Sequence, residues 1–129
     1  EVPVGLNLQT VIADIAGGGR DRKLVKALQC GGPLGGIMSI AEADMLTEFQ
    51  AMTAKGSPLG SGGILVFDQD TCIVDTMKIV AEFNEEESCG KCFPCRKGTS
   101  QIVHVFESIV AGYGEIWSTR IMAREDRMQ

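Results

Sequence analysis

Three cysteines fall within seven residues, in the run Cys89-Gly90-Lys91-Cys92-Phe93-Pro94-Cys95, and carry most of the chemical information in this sequence. Two successive Cys-x-x-Cys steps let a short loop wrap one object and aim three thiolates at it. An iron–sulfur cluster is such an object, because a cuboidal four-iron cluster offers four irons and each takes one thiolate. Gly90 permits a tight backbone, and Pro94 stiffens the approach of the last sulfur. Lys91, Arg96 and Lys97, together with loop N–H groups, offset the negative charge of a cluster and its thiolates. Spacing alone leaves three alternatives open. Zinc is one, although zinc sites more often use separated Cys-x-x-Cys pairs. A thiol switch, in which one thiolate attacks and the next resolves, is another. The third is a loop that binds nothing.

Cys89, Cys92 and Cys95 are therefore the candidate cluster and metal ligands, one short of the four that a four-iron cluster takes. Cys72 opens a predicted helix that ends at the cysteine loop, so about 25 Å of helix separates it from Cys89. Cys30 stands at a strand end beside a glycine turn and suits a small buried side chain. The fourth ligand is expected beyond Gln129.

The remaining polar features are blander. Glu82, Glu85, Glu86 and Glu87 read as a solvated helix end. His104 points away from the apolar stripe of its helix, with no catalytic partner set by the sequence. Trp117 reads as a core or interface residue. Two glycine motifs, Gly31-Gly32-Pro33-Leu34-Gly35-Gly36 and Gly56-Ser57-Pro58-Leu59-Gly60-Ser61-Gly62-Gly63, are turn chemistry first. Neither is followed by Lys-Ser or Lys-Thr, and neither opens a dinucleotide-type strand–turn–helix unit, so neither is read as a phosphate cradle.

The elements that must position these residues divide the chain near residue 69. Before it, Leu8, Val11, Ile12 and Ile15 mark one face of a short helix capped by Asn7 and stopped by Gly17-Gly18-Gly19. Val2-Pro3-Val4 reads as an edge strand, where a missing N–H is tolerated. Leu24–Gln29, Gly36–Ile40 and Ile64–Phe67 read as further strands, giving a small α+β unit over 1–69. After it, Ile73, Val74, Met77, Val80 and Ala81 recur at helical spacing from an N-cap at Asp70 to about Glu87. Beyond the cysteine loop, Ile102, Val103, Phe106, Ile109 and Val110 mark a helix running from Lys97 to near Gly112, and another helix begins near Glu115. Residues 70–129 thus form a helical unit.

Composition sets the outer bounds. The 129 residues are 44% hydrophobic and 22% charged, the balance of a folded domain and not of a disordered chain. Aromatic residues are only 5%, so the core must be aliphatic. A net charge of −5 with dispersed Lys and Arg gives no footprint for nucleic acid. The longest apolar run, Ile64-Leu65-Val66-Phe67, is far below the ~18 residues of a membrane span, so no membrane insertion is expected. Glu1-Val2-Pro3-Val4 has neither an initiator Met nor a signal-peptide plan and reads as an internal start. Five cysteines, an odd number with three clustered, argue against a secreted disulfide scaffold and favour a reducing, cytoplasmic setting.

The order Val2-Pro3-x-Gly5, Gly17-Gly18-Gly19, Gly31-Gly32-Pro33-x-Gly35-Gly36, Gly60-Ser61-Gly62-Gly63, Asp70-Thr71-Cys72-x-Val74-Asp75 and Glu87-Ser88-Cys89-Gly90-Lys91-Cys92-x-Pro94-Cys95-Arg96-x-Gly98-Thr99 resembles the flavoprotein subunit of respiratory NADH dehydrogenase (complex I). Related subunits occur in NAD-linked hydrogenases and formate dehydrogenases. The resemblance spans residues 1 to about 112. It implies a ubiquitin-like, soluble-ligand-binding β-grasp (SLBB) domain over 1–69, followed over 70–129 by the start of a helical bundle that holds a 4Fe-4S cluster. It also implies that Cys89, Cys92 and Cys95 are three of the cluster ligands, that Cys72 is not a ligand, and that the family's fourth cysteine follows downstream. FMN and NAD would be bound by an upstream domain of the full subunit, absent here. The expected partners are that domain and an iron–sulfur subunit of the complex, at most peripheral on the cytoplasmic side of a membrane. By this resemblance the chain is a fragment of an NADH:acceptor oxidoreductase and is expected to show no NADH oxidation alone.

Overall fold

A computed structural model describes residues 1–114, and the chain divides into two compact units, Glu1–Thr71 and Cys72–Gln129. The expected helix near Glu115 and Trp117 lie outside the described residues. The architecture is α+β.

The first unit is built on a three-stranded antiparallel sheet of order β2-β1-β3, with β1 Val25–Cys30, β2 Ile37–Ser39 and β3 Ile64–Asp68. Leu28 pairs with Met38 on one side and Val66 on the other. As the central strand, β1 is buried along four consecutive residues, Ala27 to Cys30, which is why its sequence alternates only weakly. Buried Gln29 is satisfied by donating from Nε2 to the Gly35 carbonyl at 3.3 Å. Between Val25 and Ala27 the register shifts against β3, leaving Lys26 as the extra residue of a bulge. Its ammonium donates to the carbonyls of Gln69 and Thr71, and so ties down the chain beyond β3.

Leu8, Ile12, Leu28, Cys30, Met38, Ala43, Met52 and Leu59 form the core, an aliphatic set as the composition requires. Leu8 begins α1, Leu8–Thr10, where the Asn7 side chain accepts from Gln9 N–H as an N-cap. The helix then widens over Val11–Ile15 into a turn closed by Ala16 N–H on the Val11 carbonyl, five residues back. Such a turn advances each residue by a smaller angle than an α-helix. The expected stripe therefore holds for Leu8, Val11 and Ile12 and fails at Ile15, which is exposed. Val2-Pro3-Val4 is not a strand. The chain first bonds across at Gly5, whose N–H reaches the Thr47 carbonyl, and bridges only at Asn7 with Leu46. A further short helix, α2 Phe49–Ala54, carries Met52 into the core.

The two glycine motifs are partners of one another. Gly31 has φ +85°, and a Cβ there would strike the Pro58 carbonyl; a Cβ on Gly60 would lie 2.8 Å from the Gly31 Cα. Backbone thus rests directly on backbone, a contact only glycine allows. Gly31 N–H donates to the Gly63 carbonyl at 3.0 Å and the buried Ser57 hydroxyl to the Gly36 carbonyl at 3.0 Å. The first motif joins β1 to β2 and the second joins α2 to β3, so neither leads from a strand into a helix.

The second unit contains α3 Ile73–Glu86 and α4 Phe93–Val110, which pack on one another. Ala81 and Val103 are buried where the helices meet, with Ile73, Met77, Val80, Ile102, Phe106 and Ile109 half-buried. Val74 and Val110, expected on these faces, are exposed.

Asp70 is not the N-cap of α3. That position belongs to Cys72, and the carboxylate that organises the turn is Asp68. Its Oδ1 accepts from Asp70 N–H at 3.1 Å, Thr71 N–H at 3.0 Å and the Thr71 hydroxyl at 2.7 Å. An Asx turn at Asp68 holds Asp70 and Thr71 in the turn that precedes the helix, and the helix starts later. α4 also begins earlier than Lys97. Pro94 is the reason: in a first helical turn its missing N–H leaves nothing unsatisfied and its fixed φ is already helical.

Candidate metal centre

The cysteine loop is the connection between α3 and α4. α3 closes with Glu87 N–H on the Phe83 carbonyl and Ser88 N–H on the Glu85 carbonyl. Gly90 then turns the chain at φ +70°, and Cys92 enters α4 as its N-cap residue with φ −84° and ψ 126°. Arg96 N–H donates to the Cys92 carbonyl at 2.9 Å, the first bond of the helix. Cys95 therefore lies in the first turn of an 18-residue helix rather than in the loop. The sulfurs of Cys92 and Cys95 stand at the positive end of its dipole, where anionic groups are favoured.

Side-chain bonds close this loop on itself. The Ser88 hydroxyl and the Cys95 sulfur are 3.2 Å apart, and Ser88 Oγ accepts from Gly90 N–H at 3.3 Å. Arg96 Nη1 donates to the Gly90 carbonyl at 3.1 Å. Thr99 Oγ1 donates to the Cys95 carbonyl at 2.8 Å, anchoring that residue one turn further on. Ser88 and Arg96 thus act as struts across the bend. Only the positive charge of Arg96 was legible in the sequence; the Ser88 contact joins residues seven apart and has no sequence signal of its own.

Cys89, Cys92 and Cys95 are exposed, with free thiols. Among the described residues no three Cys, His, Asp or Glu side chains converge as a site for a single ion. A cluster makes a different demand, since it presents a separate iron to each thiolate. The donor set fits it: three accessible sulfurs within seven residues, a helix N-terminus behind two of them, and Lys91, Arg96 and Lys97 beside them.

The other candidates fall elsewhere. Cys72 caps the far end of α3, whose 14 residues make about 21 Å of helix before the loop. Cys30 is completely buried in the first unit, where desolvation pushes its thiol pKa up against the opposing hydrogen bond from Ser57. Glu82 pairs with Lys78 at 3.3 Å, one turn away on α3. His104 is exposed and meets the Glu107 carboxylate at 3.1 Å, an ordinary surface pair. A hollow of about 600 Å³ in the first unit is walled largely by Val2, Val4, Val11, Ile15, Phe49 and Ile64, with Glu1, Thr47 and Ser61 also on its lining. No helix among the described residues is long and apolar enough to cross a membrane.

Residues 75–127, which include the whole cysteine loop, match the sequence family described as the NADH-ubiquinone oxidoreductase-F iron-sulfur binding region. The chain is 41% identical over 114 residues to the NADP-reducing hydrogenase subunit HndC of Solidesulfovibrio fructosivorans, covering 88% of this chain and 23% of that one. It is 40% identical over 115 residues to the F 2 subunit of the NADH-quinone oxidoreductase of Rhizobium meliloti (strain 1021), covering 89% and 27%. Among solved structures, a chain of the NAD+-reducing NiFe-hydrogenase in the H2-reduced state superposes with a TM-score of 0.75 at 29% identity, over 95% of this chain and 20% of that one. The chain spans about a quarter of the length of the curated relatives it matches. The chain is thus similar over most of its length to F subunits of NADH-quinone oxidoreductase and to a subunit of an NADP-reducing hydrogenase, and its second unit carries the stretch that matches the iron–sulfur binding region.

Proposed function

We propose that this chain is the electron-relaying portion of a longer NAD-linked oxidoreductase subunit. Cys89, Cys92 and Cys95 hold three corners of a 4Fe-4S cluster, and the fourth thiolate comes from outside these residues. When bound, such a cluster accepts and releases single electrons. The rest of the work belongs to the chain. The N-terminus of α4, Lys91, Arg96 and Lys97 offset negative charge at the thiolates. The Ser88 and Arg96 struts fix the bend that spaces the sulfurs. The first unit serves as a β-grasp spacer, its rigidity supplied by the aliphatic core and the paired glycine turns.

In the full-length subunit an upstream domain would hold FMN and NADH and supply the electrons, and an iron–sulfur partner subunit would take them. A cytoplasmic setting suits five unpaired cysteines. The observation that carries this reading is the Cys-x-x-Cys-x-x-Cys loop at the head of α4, within the segment that matches the iron–sulfur family.

Anaerobic reconstitution tests it. The chain extended to its full-length polypeptide should take up iron and acid-labile sulfide together and turn brown. Zinc without sulfide, or failure to take up iron, contradicts it. The chain alone should not reduce an artificial acceptor with NADH, and doing so at a useful rate would refute the division of labour.

A further inference from the structure

We propose that Ser88 is a tuning residue for the cluster, donating a hydrogen bond from its hydroxyl to the Cys95 thiolate and so raising the reduction potential. The proposal rests on the reading of Cys95 as a cluster ligand.

Ligation of Cys95 assigns the direction of the bond. Ser88 Oγ is 3.2 Å from Cys95 Sγ, within range for a hydroxyl donating to sulfur. The same oxygen accepts from Gly90 N–H at 3.3 Å, which occupies a lone pair and leaves the hydroxyl proton free to point at sulfur. A ligating cysteine has lost its own proton, so only the serine can donate in this pair.

The contact is held from both sides. Ser88 is fixed at the close of α3 by its N–H on the Glu85 carbonyl. Cys95 is fixed in the first turn of α4 by Thr99 Oγ1 on its carbonyl, and Arg96 holds Gly90 in place. Both partners therefore sit on helix ends rather than on a free loop. Among the described residues, no other side-chain hydrogen bond reaches the sulfur of Cys89, Cys92 or Cys95.

Physical consequences follow from charge. Adding an electron to a thiolate-ligated cluster makes its sulfurs more negative, so a hydrogen bond donated to one of them is stronger in the reduced form. Hydrogen bonds to cluster sulfurs accordingly favour reduction and set potential within a cluster type. Because Ser88 contacts one ligand of the set, its influence falls on one corner of the cluster.

The test is an EPR-monitored redox titration of the full-length subunit, comparing wild type with S88A and S88T at equal iron and sulfide content. The expected result is a midpoint shifted to more negative values in S88A and returned close to wild type in S88T. Resonance Raman supplies a second readout: an iron–sulfur stretching band that shifts on transfer to D2O in wild type and S88T, and not in S88A. A fully loaded S88A with the wild-type midpoint overturns the proposal. If S88A fails to load, S88T decides, since it shares only the hydroxyl. A loaded S88T with the wild-type midpoint supports the bond, and a shifted or unloaded one overturns it. A wild-type protein that holds no cluster is a separate failure, of the underlying reading, and is seen in the metal content before any variant is compared.

Discussion

Cys30 and Cys95 are the same side chain in opposite settings. Cys30 is wholly buried beside Ser57 in an aliphatic core, and burial holds its thiol protonated. Cys95 is exposed, stands at a helix N-terminus, and also has a serine beside it. In both units a serine hydroxyl lies next to the sulfur, so the contact alone does not distinguish packing from chemistry. Desolvation and backbone dipole do. The contrast extends to the units around them: the first gathers eight buried residues into one core, while α3 and α4 bury Ala81 and Val103 and leave Ile79, Phe83 and Phe93 exposed. Among the described residues, deep burial is concentrated in the first unit, away from the clustered cysteines.

The largest effect that could break this comparison is loss of the cluster. Serine at Cys89, Cys92 or Cys95 should lower iron and sulfide per full-length polypeptide by roughly tenfold or more, while C72S and C30S load normally. A C30S protein that fails to load would erase the distinction. Next, L28A should destabilise the first unit by about 3–5 kcal/mol in chemical denaturation followed by circular dichroism, because Leu28 is fully buried on the central strand. Its iron content should not change.

The glycine pair sharpens the packing side of the contrast. Gly31 and Gly32 have nearly the same φ, +85° and +87°, but only Gly31 faces backbone. G31A should cost about 3 kcal/mol and G32A about 1 kcal/mol, the difference isolating the Pro58 contact from backbone strain. Equal losses in thermal melts would show that the close approach contributes nothing. C30A should follow at about 1–2 kcal/mol, from a small cavity.

The smallest effect is in pH. Thr71 and the neighbouring amides hold the Asp68 carboxyl below its usual range, with Lys23 assisting. A depressed carboxylate contributes stability that is present above its unfolded pKa and is lost as pH falls through the folded value. Lys23, raised first by its hydrogen bond to Asp70, contributes stability that is complete below its unfolded pKa and lost only as pH rises through the higher folded one. Melting temperature should therefore fall slightly on acidification below the ordinary carboxylate range, and D68N should flatten that limb. An unchanged acid limb in D68N would remove Asp68 from the account.

Local signals made much of this molecule legible. The three cysteines announce themselves by spacing, Asn7 by its place before a stripe, and β3 by an apolar run between turns. What escaped depends on contacts between residues distant in sequence or on competition between neighbours. The glycine motifs read as two turns, but nothing local says that Gly31 and Gly60 must touch. Asp70 reads as a cap, but Thr71 bonds back to Asp68, the turn is organised there, and α3 starts only after Cys72. Pro94 reads as a loop stiffener, but it stands in the first turn of α4 and Cys95 follows it into the helix. The turn at Val11–Ile15 moves Ile15 off a stripe that it fits in an ideal helix. β1 lacks alternation because both of its faces are covered, Ala27 to Cys30 being buried in succession.

One measurement bears most directly on the central claim: iron and acid-labile sulfide in the full-length polypeptide, purified without oxygen, with an EPR spectrum taken after reduction. Wild type should hold at least one cluster's worth, about four of each, with the signal of a reduced cuboidal cluster that disappears in C92S. A protein that binds zinc without sulfide, or a C92S variant with undiminished iron and signal, would contradict it.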